Sequence, residues 1–167
     1  MFRPNPCCLA IVAFALAGLA TGRAHAQCAA GATGTYQYYA GNTSHQTGSA
    51  YGLDCRARPN IDAPGYLVYG PYDTRFGVGP HRASYYLQVN DIATTPKAVI
   101  ASLQICTHQG RRILAQRDLS RRDFLAANTW KFFTLHFENP CFEEVETAIY
   151  QHGNAQFVFG QVYIIKD

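Results

Sequence analysis

The sequence predicts an all-β protein of the sandwich or barrel class. Three observations carry the prediction. Apolar residues alternate with other residues at a period of two over one window after another, and turn-forming residues separate those windows. No segment beyond the N-terminal apolar run has the three-to-four-residue periodicity of an amphipathic helix.

In chain order the first segment is a leader. Arg3 supplies a positive start, Leu9 to Ala20 is an apolar core too short to span a bilayer comfortably, and Ala24-His25-Ala26 has the small-x-small form that signal peptidase accepts. Residues 1–26 are therefore expected to be a signal peptide, and residues 27–167 a single domain. Residues 29–50 are rich in Gly, Ala, Thr and Ser and read as loops around one short strand at Tyr36–Ala40. The stretch from Tyr51 to Tyr72 (YGLDCRARPNIDAPGYLVYGPY) reads as the entry to a sheet.

Strands follow. In 83–90 one face is Ala83, Tyr85, Leu87 and Val89; in 97–105 it is Val99, Ala101, Leu103 and Ile105. In 130–138 it is Phe133, Leu135 and Phe137; in 143–151 it is Val145, Thr147 and Ile149. The last window, 156–165, starts with Phe157 and Phe159 on one face and changes phase after Gly160 to Val162 and Ile164. A glycine at a phase change inside a strand predicts a β-bulge. Turn signals lie at Gly77–Pro80, Asn90-Asp91, Gln109-Gly110, Asn139-Pro140 and Gly153-Asn154.

Charge and cysteines bound the setting. Removing Arg3 and Arg23 leaves twelve basic residues against eleven acidic ones, so net charge gives no footprint for nucleic acid. The domain keeps Cys28, Cys55, Cys106 and Cys141, an even set in an exported chain, which predicts two disulfides. Three connectivities are open. Cys28–Cys55 with Cys106–Cys141 is the expected one, because each bond closes a local segment. No pair has the C-x-x-C spacing of a zinc site.

Several segments together resemble the galactose-binding-domain-like β-sandwich, the jelly-roll of many non-catalytic carbohydrate-binding modules in secreted bacterial proteins. They are HQTG (His45–Gly48), DAPGYLVYGPY (Asp62–Tyr72), ASYYLQVND (Ala83–Asp91), RDLSRRDF (Arg117–Phe124), WKFFTLHF (Trp130–Phe137) and AIYQHGNAQFVFGQVYII (Ala148–Ile165). The resemblance covers residues 36–165 and implies a two-sheet antiparallel jelly-roll with glycan or cell-surface polysaccharide as ligand. It bears on fold more than on ligand, since one fold hosts many functions. Relatives with a structural calcium carry a carboxylate where Gly41 stands and an Asp where Gly160 stands. The resemblance therefore implies no metal at that position, and no cofactor.

Candidate ligand-binding residues are Arg56, Tyr69, Tyr72, Trp130, Tyr150, His152 and Asn154. Aromatic rings stack on the apolar faces of sugars, and Arg, Asn and His supply hydrogen bonds to hydroxyls. Arg58 and Tyr66 belong to the same stretch as Arg56 and Tyr69. Each candidate also has a plain structural role open to it: ring packing at a sheet edge, or turn chemistry at Gly153-Asn154. Arg111, Arg112, Arg117, Arg121 and Arg122 form a basic run that reads either as a polyanion contact or as a solvated face laced by Asp118 and Asp123. The histidines form no H-E-x-x-H, and no G-x-S-x-G occurs, so no catalytic residues are expected. The expectation is a secreted or periplasmic glycan-binding module with no membrane span after leader removal. The alternative is an envelope or adhesion module that binds protein.

Overall fold

The alternating faces meet in one core. The computed structural model describes residues 34–140 and 143–167, so the leader, Cys28 and Cys141 lie outside the described residues. The strands are β1 (Thr35–Tyr39), β2 (Ser49–Tyr51), β3 (Asp54–Ala57), β4 (Gly65–Asp73), β5 (Gly79–Val89), β6 (Val99–Thr107), β7 (Arg112–Ser120), β8 (Lys131–Asn139), β9 (Val145–Gln151) and β10 (Phe157–Lys166). Single 3-10 turns follow β1 and β7, at Ala40–Asn42 and Arg121–Asp123.

All pairings are antiparallel. One sheet runs β2-β3-β10-β5-β8 with β1 also on β10; the other runs β4-β9-β6-β7. The two sheets make the jelly-roll sandwich expected from the sequence. Ala83, Tyr85, Leu87 and Val89 are fully buried, as are Leu103, Ile105, Phe157, Phe159, Val162 and Ile149. Each Val, Leu, Ile or Phe among them contributes on the order of 1.5–3 kcal/mol by leaving water.

β10 shows why the phase changes at Gly160. Its first half, Phe157–Phe159, pairs with β3; its second half, Gln161–Ile165, pairs with β1 on the same edge. Its register against β5 slips between Phe159 and Gln161, which is the bulge expected there. A Cβ at residue 160 would stand 3.1 Å from Trp130 Cζ3, so the glycine makes room for the indole.

A polar clasp ties the sheets together near one end. The Tyr38 hydroxyl on β1 donates to Asp73 Oδ2 at the end of β4, and Arg75 donates through Nε to both Asp73 oxygens at 2.9 and 3.0 Å. The Arg75 guanidinium also lies 4.6 Å from the centroid of the Tyr36 ring. Burial alone would raise the Asp73 pKa, but the Arg75 and Tyr38 hydrogen bonds outweigh it and hold the carboxyl below its ordinary value.

The basic run is taken apart by the fold. Arg112 faces Glu143 at 3.2 Å and Arg117 faces Asp123 at 3.3 Å. Arg121 is 3% exposed; it donates to Thr95 Oγ1 at 3.2 Å and to the Asn154 carbonyl, locking the loop after β9 to the one before β6. Three of the five arginines therefore serve the scaffold.

Cys55 and Cys106 are buried and are not joined to each other, which removes one of the three connectivities. Their expected partners, Cys28 and Cys141, lie outside the described residues. Burial pushes both thiols up to about 11, so as thiols they would be inert near neutral pH. Among the described residues no helix is long and apolar enough to cross a membrane.

Candidate functional site

The outer face of the four-stranded sheet carries a tyrosine-lined cleft. In a regular strand, residues three apart point to opposite faces. Tyr66, Tyr69 and Tyr72 are three apart, yet all line this cleft. β4 achieves this with register slips against β9 between Tyr66 and Val68 and between Gly70 and Asp73. Each slip adds a residue and returns the next tyrosine to the outer face.

The cleft has a volume of about 410 Å³, within the range of small-ligand sites. β4 supplies the tyrosines, β9 supplies Glu146 and Ala148, β6 supplies Cys106, and the β6–β7 hairpin covers one end with Gln109 and Gly110. Gln46 closes the rim. Its backbone N–H donates to the Tyr66 carbonyl at 2.9 Å, and its Oε1 accepts from the Tyr66 N–H at 3.2 Å. The HQTG segment thus rides on the edge of β4. Its Gly48, at φ +80°, packs so closely that a Cβ would lie 2.5 Å from the Arg56 carbonyl oxygen.

The aromatic floor continues past the cleft. Tyr150 meets Tyr66 edge-to-face at 5.4 Å between centroids, and His152 meets Tyr150 at 5.2 Å. The Tyr66 hydroxyl faces Gln104 Oε1 at 3.5 Å, and Gln104 Nε2 donates to Gln116 Oε1 at 3.2 Å. Burial, then the nearby Glu146 charge, raises the Tyr72 pKa, and burial does the same for Tyr66. Both phenols stay O–H donors at neutral pH.

Glu146 stands out inside the cleft. It is 4% exposed, and its Oε2 has no hydrogen-bond partner among the described residues. Burial is the main cause that raises its pKa, with Glu144 adding to it. The Gly70 amide and the Tyr72 hydroxyl pull the other way without cancelling the shift.

Ser102, His152 and Asp118 also meet on this face, in an order that does not build a nucleophile. Ser102 Oγ donates to Asp118 Oδ1 at 2.7 Å, and His152 Nε2 lies 3.0 Å from the same Oγ. The serine sits between the other two groups. Its proton is committed to the carboxylate, and the histidine has no carboxylate holding its far nitrogen among these contacts. A nucleophilic triad needs the histidine in the middle.

The fold separates the sequence candidates. Tyr69, Tyr72, Tyr150 and His152 share the outer face of the four-stranded sheet, together with Tyr66. Arg56 lies on β3 in the other sheet, 5.1 Å over the Tyr51 ring. Trp130, just before β8, stacks on Tyr86 at 4.8 Å, and Phe132 stacks on the same tyrosine at 4.5 Å. This second aromatic row lies on the outer face of the six-stranded sheet, away from the cleft. Asn154 is tied into the scaffold, its Nδ2 donating to the Val99 carbonyl at 2.9 Å and its own carbonyl accepting from Arg121. Among the described residues no group of three His, Cys, Asp or Glu converges to hold a metal.

Sequence reasoning missed Gln46, Gln104, Cys106 and Ala148 as members of this face. It gave Glu146 no role at this face. Alternation in β9 does place Glu146 opposite Val145 and Thr147; its burial depends on the hairpin at Gln109-Gly110, which no local pattern announces.

No protein-family model matches the sequence, and no curated protein matches it by sequence. Several solved structures are similar in chain path. The second CBM6 module of Cellvibrio mixtus lichenase 5A, solved with cellotriose, is 14% identical at a TM-score of 0.48, covering 79% of this chain and 97% of its own. The C-terminal CBM6 of LamC, a marine laminarinase from Zobellia galactanivorans, is 11% identical at a TM-score of 0.47, covering 80% and 100%. The xylan-binding module CBM15 is 18% identical at a TM-score of 0.42, covering 81% and 92%. At these identities and TM-scores the ligands of those modules do not transfer to this chain.

Proposed function

We propose that this chain is a secreted or periplasmic, non-catalytic module that binds an extended glycan across the outer face of its four-stranded sheet. The observation that carries the reading is the convergence of Tyr66, Tyr69 and Tyr72 on one cleft through two strand irregularities. Six residues of strand span about 20 Å at most, the reach of an oligosaccharide rather than of a single sugar. Rings stack on the apolar faces of the sugars while Gln46, Gln104 and the phenols serve hydroxyls. The site is preformed on paired strands, so binding needs little reorganisation.

A glycan array probed with the exported, oxidised protein tests this. Binding should appear, and Tyr69→Ala should weaken it about tenfold, ~1.4 kcal/mol, while Trp130→Ala leaves it intact. A well-folded protein that binds no glycan removes the reading.

The second reading is an envelope or adhesion module with a protein partner. The row Trp130–Tyr86–Phe132 favours it, since Phe132 is 50% exposed and the row lies outside the cleft. Loss of a partner captured from the native envelope on Phe132→Ser, with glycan binding unaffected, would support it.

A further inference from the structure

The geometry points to a cationic sugar as the ligand: the cleft is built for a glycan that carries free, protonated amino groups. This inference rests on the glycan-binding reading and narrows it to a ligand class.

Three observations converge. Glu146 is a 4%-exposed residue whose carboxyl Oε2 finds no donor among the described residues. Burying a carboxyl with one oxygen unpaired is costly, and such groups in native structures call for an explanation. Glu146 is also the only charged residue among those lining the cleft; none is Lys or Arg. The basic side chains nearby are engaged or outside. Arg112 and His108 face Glu143, at 3.2 and 3.5 Å, and Arg111 is exposed on the hairpin. Glu144, on the same chain segment, adds negative potential at Glu146.

The third observation is the company of the carboxyl. Tyr66, Tyr69 and Tyr72 line the same cleft, and Tyr150 braces Tyr66 from the side. Aromatic faces attract an ammonium through their quadrupole, most strongly where water is excluded. A protonated amine bound there gains ring faces, an N–H donation to Glu146 and the carboxylate's charge in a low-dielectric cleft. A neutral N-acetyl group offers no charge and one N–H, so the site discriminates between the two forms of the same polymer. The elongated cleft along β4 favours a chain of such sugars over a cationic peptide side chain, which would occupy a single point.

The test is calorimetric titration of the exported, oxidised protein at pH 6 with a β-1,4-linked glucosamine oligomer and with its fully N-acetylated counterpart. Wild type should bind the amine form at least tenfold more tightly, and raising salt should reduce that preference. Glu146→Gln should abolish the preference while keeping residual binding through the rings. Tyr69→Ala should weaken both forms, a control that does not depend on Glu146. Equal affinity for the two oligomers, or a preference that survives Glu146→Gln, overturns the inference. Binding of other, neutral glycans without either oligomer overturns it too, yet leaves the glycan-binding reading standing. A trimethyl-lysine peptide that binds more tightly than the glucosamine oligomer overturns it in favour of a protein ligand. Failure to bind any glycan removes the underlying reading itself.

Discussion

Glu146 is a residue held where it costs stability. Its native pKa is raised, so at pH values above the unfolded value of about 4.3 the unfolded chain releases this proton more readily than the native one. The penalty is absent below about pH 4, grows as pH rises and is complete above the native pKa. Glu146→Gln should therefore raise stability at pH 7 by roughly 1 kcal/mol and leave it unchanged at pH 3. Thermal unfolding at the two pH values checks this; an equal effect at both would mean that the carboxyl is not strained. Asp73 has the opposite sign. Its native pKa is depressed, so its contribution is present above about pH 4 and is lost as pH falls further through the native value. Asp73→Asn should cost about 1.5–3 kcal/mol at pH 7, because Tyr38 and Arg75 lose a charged acceptor. Urea unfolding at pH 7 and at pH 2.5 should show a smaller cost at the second than at the first.

At the scale of elements, legibility depended on which strands bury one face. β5, β8 and the second half of β10 alternate because one side meets the core and the other is more open, and their windows were visible in the sequence. β7 was read as a charged run, since it is exposed along most of its length with only Leu119 fully buried. β4 read as an entry because Gly65, Gly70 and Pro71 interrupt its pattern. Those interruptions accompany the register slips that gather the tyrosines, so the feature that hid the strand also builds the site. The bulge in β10 was legible because a single glycine coincided with a phase change. Its cause was not, because Trp130 reaches Gly160 from thirty residues earlier in the chain. Gly160→Val should push the indole off Tyr86, shift the emission of the one tryptophan and cost about 1–3 kcal/mol by overpacking. Unchanged emission would contradict the placement of the ring.

At the scale of the molecule, the sandwich separates two aromatic surfaces that the sequence had merged into one candidate set. Tyr69, Tyr72, Tyr150 and His152 stand on one sheet; Trp130 and Arg56 belong to the other. Strand order decides that division, and strand order is a long-range property that local patterns do not carry. If the expected disulfides form through Cys55 and Cys106, reduction should lower stability by roughly 2–4 kcal/mol for each bond. The measurement that tests the central claim most directly is chemical-shift mapping of the labelled protein during titration with a glycan selected on the array. The account predicts saturable shifts at Tyr66, Tyr69, Gln104, Ala148 and Gly110, with Tyr86 and Trp130 unmoved. Shifts centred on Tyr86, Trp130 and Phe132, with the tyrosine cleft silent, would contradict it.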